Sequence, residues 1–241
     1  MKMKLYCLPY AGGTAMLYSR LKPYLHESIE LCPIELSGRG RRFGEPLYAS
    51  VEAAVIDLSR SINFDESPYA LFGYSMGSLL AYELTHTIVQ KGYRIPEHVF
   101  LAAKSAPCVA AYSEPVHTLP DEQFLSYIRE NKGTPDDFFA HPELVELFLP
   151  VLRGDYRILH HYRWKESREK LPCDATVLFG LKDELPEGAV QGWQQLFASA
   201  VEYREFPGGH FFIHEQMQQV AGAINEAVTK RIEAQIIPLL G

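Results

Sequence analysis

The chain has 241 residues, 47% of them hydrophobic and 22% charged, with 23 Lys+Arg against 30 Asp+Glu and a formal net charge of −7. These are ordinary globular proportions, which exclude a disordered chain, a collagen-like repeat and a coiled coil. The acidic balance and a single short basic run, Arg39-Gly40-Arg41-Arg42, argue against nucleic acid as a partner, and no apolar run reaches the ~18 residues of a membrane span.

Short apolar runs alternate with helical patterns, the mark of βαβ units and a parallel sheet. The first run, residues 3–8 (MKLYCL), is stopped by Pro9 and Gly12-Gly13 before it attains the length of a signal-peptide core, so a cytoplasmic protein is expected. The second run is 29–34 (IELCPI). Ser50 then offers an N-cap to a helix whose Val51, Ala54, Val55, Leu58 and Ile62 share one face. Residues 69–74 (YALFGY) read as the third strand, and Ser78–Gln90 as the helix after it, ended by Gly92. Runs 98–103 (HVFLAA), 175–180 (ATVLFG) and 201–206 (VEYREF) follow. A last helix is expected from about Ile213 to Ile237, ahead of Pro238. The pattern predicts one α/β domain over residues 1–241, a mostly parallel sheet with helices on both faces.

One stretch, about 112–172, breaks the alternation. It has no strand pattern, yet helix-start signals recur at Leu119-Pro120-Asp121, Thr134-Pro135-Asp136 and His141-Pro142-Glu143. It carries Phe124, Tyr127, Phe138, Phe139, Phe148, Tyr156, Tyr162 and Trp164, aromatics for a small core of their own or for the wall of a gated pocket. An insertion above the carboxyl ends of parallel strands overhangs the usual ligand crevice, so a helical lid is expected.

Gly73-Tyr74-Ser75-Met76-Gly77 fits Gly-x-Ser-x-Gly, and its place between a strand and a helix is that of a nucleophile elbow. A serine hydroxyl is a weak nucleophile until a base takes its proton. Of nine histidines, His210 follows the last strand in Pro207-Gly208-Gly209-His210-Phe211-Phe212, where the final member of a Ser…Asp/Glu…His order falls. His214 lies one turn further on, and His160-His161 project apart on a helix. Asp183, three residues after the fifth strand, is placed to orient His210, with Glu184 and Asp155 as alternatives. The Met76 amide is one expected oxyanion donor. The second should come from the loop after the first strand, Ala11 first and Tyr10 next. Cys7, Cys32, Cys108 and Cys173 form no Cys-x-x-Cys pair and no zinc spacing, so free thiols and no metal are expected.

Taken together, Leu8-Pro9-Tyr10-Ala11-Gly12-Gly13, Gly38-Arg39-Gly40-x-Arg42, the elbow around Ser75 and Gly208-Gly209-His210-Phe211-Phe212 resemble the type II thioesterases that accompany nonribosomal peptide and polyketide synthetases, within the α/β-hydrolase fold. The likeness continues through Leu119-Pro120-Asp121-Glu122, Gly133-Thr134-Pro135 and Leu149-Pro150-Val151-Leu152-Arg153-x-Asp155. Gly154 stands where the family more often has alanine, a departure expected to be without consequence. The resemblance implies hydrolysis of acyl or aminoacyl thioesters on the phosphopantetheine arm of a carrier protein, clearing stalled or mis-loaded groups with no metal or organic cofactor. A pantetheine thiol ionises near ~8.5 and leaves with less acid assistance than an alkoxide.

A start at Met1 almost on the first strand, with no fused carrier module, suggests a discrete enzyme, monomeric by default. Arg39, Arg41 and Arg42 are expected near the pocket rim, drawing in the acidic carrier or its phosphate, or else forming a solvated loop. A medium- or long-chain acyl-carrier-protein hydrolase, an oxoester hydrolase or acyltransferase, and a non-catalytic carrier-binding protein are the competing readings of the same scaffold.

Overall fold

A computed structural model describes residues 2–64, 67–109, 114–130, 139–166 and 168–236. Its sheet comprises β1 (Met3–Leu8), β2 (Ile29–Pro33), β3 (Tyr69–Tyr74), β4 (His98–Ala102), β5 (Asp174–Gly180) and β6 (Val201–Phe206), in the order β2-β1-β3-β4-β5-β6. Every neighbouring pair is parallel. The six apolar runs of the sequence are these strands, to within a residue at their ends. All residues of β3 and β4 are buried, as central parallel strands covered on both faces require.

The α-helices among the described residues are α1 (Val51–Ser61), α2 (Met76–Gln90), α3 (Asp121–Glu130), α4 (Pro142–His161) and α5 (Met217–Ile236). Ser50 caps α1, its hydroxyl accepting the Ala53 N–H at 3.2 Å. Alternate strand residues serve opposite layers. Tyr6, Leu8, Leu71, Val99 and Val177 pack with α1 and α2, whereas Leu5, Cys7, Ala70, Phe72, Phe100 and Leu178 pack with α5. Each such Leu, Val or Phe contributes about 1.5–3 kcal/mol through burial. The sheet's carboxyl edge is therefore a rigid platform for the loops that follow each strand.

Two helix starts differ from expectation. α2 begins at Met76 rather than Ser78, because the chain enters it straight from the turn at Ser75. α5 begins at Met217 rather than near Ile213. Phe212 and Ile213 are buried in a separate 3-10 turn, Phe212–His214, where the Ile213 N–H reaches the Tyr74 hydroxyl at 3.3 Å. Their apolar character serves that contact, not a longer helix.

Between β4 and β5 lie α3 and α4, both started at the proline signals. Thr134-Pro135-Asp136, with Gly133 and Phe138, falls outside the described residues. Phe124, Ile128, Val116 and Leu152 form a small core of their own, joined by Tyr127, Phe139 and Tyr156. Beyond α4 the chain is tied down to α2. Tyr162 donates to Glu83 at 2.6 Å, Trp164 donates to the Tyr82 hydroxyl at 3.3 Å, and Arg168 pairs with Glu83 at 2.6 Å.

The four cysteines are free thiols. Burial pushes Cys173 up to about 12 and Cys7 well above its ordinary value, so neither is a thiolate at neutral pH. Among the described residues no helix is long and apolar enough to cross a membrane.

Candidate active site

The turn from β3 to α2 holds Ser75 at φ 52° and ψ −111°, a conformation that non-glycine residues rarely adopt and that persists only where the surroundings enforce it. They do so by leaving no space. A Cβ on Gly73 would stand 2.2 Å from the Gly77 carbonyl oxygen, and one on Gly77 would stand 2.0 Å from that of Leu8. Both flanking positions of the motif thus require glycine, and the loop after β1 lies directly against the elbow. The Ser75 N–H donates to the Ala102 carbonyl at 2.8 Å, anchoring the turn to β4.

Across from the elbow, the ends of β5 and β6 bring in the other two groups. His210 Nε2 lies 3.0 Å from Ser75 Oγ, and His210 Nδ1 lies 3.1 and 3.2 Å from the Asp183 carboxylate oxygens. The Asp183 side chain is 6% exposed and that of His210 32%, so the acid is shielded while the imidazole opens to the crevice. The β5 and β6 loops meet backbone to backbone. A Cβ on Gly180 would come within 2.5 Å of the Gly209 oxygen, and Lys182 N–H donates to Gly208 at 2.8 Å. A carboxylate acceptor at Nδ1 places the proton there and leaves Nε2 to accept from the serine hydroxyl.

The alternatives weighed from sequence lie elsewhere. Glu184 is exposed. Asp155 is paired with Arg39. His214 Nε2 faces the Tyr10 hydroxyl at 3.3 Å, and burial lowers its pKa. His160 and His161 lie against His117, tilted and edge-on, at ring distances of 5.1 and 5.6 Å.

Met76 opens α2, where the first backbone N–H groups have no acceptor within the helix and point out of its positive end. Ala11 lies in a turn closed by Gly13 N–H to the Tyr10 carbonyl at 2.9 Å, with Gly12 at φ +77°. Among the described residues no group of three His, Cys, Asp or Glu is placed to hold a metal ion.

Residues 3–228 match the family described as Thioesterase domain. The chain belongs to the thioesterase family. It is 32% identical over 224 residues to the gramicidin S biosynthesis protein GrsT of Aneurinibacillus migulanus, covering 91% of this chain and 86% of the relative. It is equally 32% identical over 227 residues to the thioesterase PikA5 of Streptomyces venezuelae, covering 93% and 80%. The crystal structure of ClbQ from the colibactin NRPS/PKS pathway superposes with a TM-score of 0.92 at 32% identity, over 97% of this chain and 100% of that one. The protein is a thioester hydrolase on the α/β-hydrolase fold, as the motifs suggested, and thioesterases of this fold act without a cofactor.

The structure of this thioesterase corrects the reading of the arginines. Arg39 is 1% exposed and forks onto Asp155 at 2.6 and 2.7 Å, so it is an internal group and not a carrier contact. Arg42 is spent on Asp57 of α1 at 2.6 Å and on Glu45 of its own loop, and these hydrogen bonds raise its pKa further. Arg41 alone of the three is exposed. A basic triplet in sequence shows the charges but not the acids that the fold brings to them.

Two neighbours of the thioesterase site escaped the sequence reading. The Tyr74 hydroxyl donates to the His210 carbonyl at 2.6 Å, so the residue before Ser75 also holds the His210 loop. Lys104 follows β4; burial lowers its pKa while the charge of Asp183 opposes that effect, which puts its ammonium in the field of Asp183. The aromatic at the second position of the elbow was the available signal for Tyr74. Nothing in the sequence marked Lys104.

Proposed function

We propose that this thioesterase hydrolyses acyl and aminoacyl thioesters on the phosphopantetheine arm of carrier proteins, removing mis-loaded or stalled groups during nonribosomal peptide or polyketide synthesis. The observation that carries the reading is the unbroken relay from Ser75 Oγ to His210 Nε2 at 3.0 Å and from His210 Nδ1 to Asp183 at 3.1 Å. GrsT and ClbQ are named for gramicidin S biosynthesis and the colibactin NRPS/PKS pathway, which supports carrier-bound substrates.

The chemistry runs in two halves. His210 Nε2 takes the Ser75 proton as Oγ bonds to the thioester carbonyl carbon, and the carbonyl oxygen becomes an oxyanion held by the N–H groups of Met76 and Ala11. Asp183 stabilises the imidazolium. Collapse breaks the carbon–sulfur bond, and the pantetheine sulfur leaves with the proton from His210. Water then attacks the Ser75 acyl ester, losing its proton to His210, which returns it to Ser75 Oγ as the acid departs.

The α3–α4 segment serves as a helical lid over this site, within one domain spanning 1–241. The enzyme works as a monomer beside its synthetases in the cytoplasm, with carrier proteins as its partners.

The test loads a carrier protein with acetyl-phosphopantetheine and follows its mass with wild type and Ser75→Ala, beside a simple oxoester. Fast, Ser75-dependent deacylation with slow oxoester cleavage is expected. Rapid oxoester cleavage without deacylation overturns the proposal in favour of an esterase. Deacylation confined to octanoyl and longer chains moves it to a fatty-acyl carrier hydrolase.

A further inference from the structure

The turn that carries Ala11 is held from outside by one buried acid, and the chain just after it by a second. Asp155, on α4, accepts the Gly12 N–H through Oδ2 at 2.7 Å. The same carboxylate takes both arms of Arg39, at 2.6 and 2.7 Å, and Arg39 Nη1 also lies 3.4 Å from the Gly13 oxygen. Arg39 and Asp155 are 1% and 2% exposed. Four residues beyond the turn's Ala11, the Ala15 N–H donates to the buried Glu35 at 3.0 Å. An apolar contact joins these bonds. A Cβ on Gly12 would stand 2.3 Å from Leu152 Cδ2, and Leu152 lies one turn before Asp155 on the same face of α4.

This arrangement determines a specific degree of freedom. Turns with and without a left-handed third residue differ by a flip of their central peptide, here the one between Ala11 and Gly12. A carboxylate on the Gly12 N–H fixes that plane, and Ala11 connects it rigidly to its own N–H. A charged acceptor does this with roughly twice the strength of a neutral one. An unpaired carboxylate here would also oppose negative charge forming nearby, and the forked guanidinium of Arg39 offsets it.

We infer that Asp155, held by Arg39, is a positioning residue for the oxyanion hole, tying the place of α4 to the aim of the Ala11 N–H. The inference rests on the reading of Ala11 as an oxyanion donor given above. It assigns the buried pair to turnover and not to stability alone.

Asp155→Asn keeps the shape and removes the charge. A double variant, Arg39→Met with Asp155→Leu, removes both charges together, a replacement that buried pairs usually tolerate in stability. Both are compared with wild type for kcat and KM on an acyl-pantetheine thioester. Binding is then measured to a trifluoromethyl ketone analogue, whose Ser75 adduct places an oxyanion in the hole, and to an unreactive thioether. The expected result is a fall in kcat of about 10- to 100-fold, below the full loss of an oxyanion donor, with KM within about twofold. Ketone affinity should fall in step with kcat/KM while thioether affinity stays level. Arg39→Lys, which keeps the cation, should retain more activity than Asp155→Asn.

Folded variants with kcat within about twofold of wild type, or with losses confined to KM, overturn the assignment. Should Asp155→Asn fail to fold, the double variant decides by the same readouts, and if both fail to fold, a folded Arg39→Gln enzyme, which lacks the cation, with wild-type ketone affinity also overturns it. Ser75→Ala separates the two levels. If that variant still hydrolyses the thioester, the triad reading fails; if it is inactive while the Asp155 variants are unimpaired, only the positioning role fails.

Discussion

Tyr74 and His210 are joined by a hydrogen bond that runs from the tyrosine hydroxyl to the histidine main-chain oxygen at 2.6 Å. The same hydroxyl accepts the Ile213 N–H at 3.3 Å, and burial keeps the phenol neutral by raising its pKa well above the usual value. One strand thus delivers Ser75 at its end and grips the loop of His210 from position 74. Tyr74→Phe leaves the buried Ile213 N–H and the half-buried His210 carbonyl without their partner, which costs about 1–3 kcal/mol. The expected outcome is a lower melting temperature together with a roughly five- to tenfold drop in kcat as His210 loses its fixed approach. Thermal melts and steady-state kinetics on one preparation check it, and a destabilised variant with undiminished kcat would limit Tyr74 to a packing role.

Asp183→Asn tests the relay from its other end. Asn is the same size, so His210 stays within reach, but an amide can donate to Nδ1 and reverse the tautomer. The proton then sits on Nε2, facing Ser75, where it cannot accept. Loss of about 10³–10⁴ in kcat is expected, with KM little changed. Replacing Glu184, which is exposed one residue on, should leave turnover within about twofold. Equal losses at the two positions would mean that the loop, and not the 3.1 Å contact of Asp183, supports the imidazole.

The parts of the fold legible in sequence share a physical cause. β3 is a continuous apolar run closed by a glycine-bounded turn, because a central parallel strand is buried on both faces, and this marks both its ends. Ser75 and His210 are legible for a related reason, since each follows a strand whose end is plain and the chain order restricts the choice. The Arg39–Asp155 pair was not legible. Its members stand 116 positions apart, and a charged residue carries no signal of which distant charge will neutralise it. The start of α5 was misplaced because Phe212 and Ile213 satisfy a helical stripe while in fact packing into the cluster that holds Tyr74. Apolar spacing reports that a residue is buried and leaves open what buries it.

Acid stability follows from His98. It is 6% exposed on β4, with Nε2 2.8 Å from the Thr176 hydroxyl on β5 and its ring 4.4 Å from that of Phe100. Burial holds its pKa down to about 4 from 6.5, against the milder opposing influence of Asp174. The unfolded chain therefore binds a proton that the folded chain refuses between these values, and stability falls as pH is lowered from about 6.5 to 4. The effect is of the order of 3 kcal/mol for this one group, fully present above 6.5. Urea midpoints of wild type and His98→Gln should diverge in slope through this window, the variant being flatter. Parallel slopes would assign the acid sensitivity to His86, whose burial likewise lowers its pKa to about 4.

Gly154 offers a stabilising change beside the candidate site. It lies inside α4, where glycine costs about 0.8–1.0 kcal/mol relative to alanine. An added Cβ would come 3.1 Å from Leu47 Cδ1, closer than an ordinary contact, so the outcome depends on whether Leu47 can move. It can, because Leu47 lines a groove of about 520 Å³ between the loop after β2 and α4, together with Phe43, Leu147 and Pro150. None of Ser75, Asp183 and His210 lines that groove, so a shift of Leu47 into it leaves the relay untouched. Gly154→Ala is therefore expected to raise the melting temperature by a few degrees at unchanged kcat, about 0.5 kcal/mol surviving the small cost of the Leu47 shift. The contrast is Gly77→Ala, whose Cβ would meet the Leu8 carbonyl oxygen at 2.0 Å. Main chain cannot retreat as a leucine tip does, and that variant should lose both the elbow and activity. A Gly154→Ala enzyme that melts lower than wild type would show that Leu47 is held in place by more than the groove it faces.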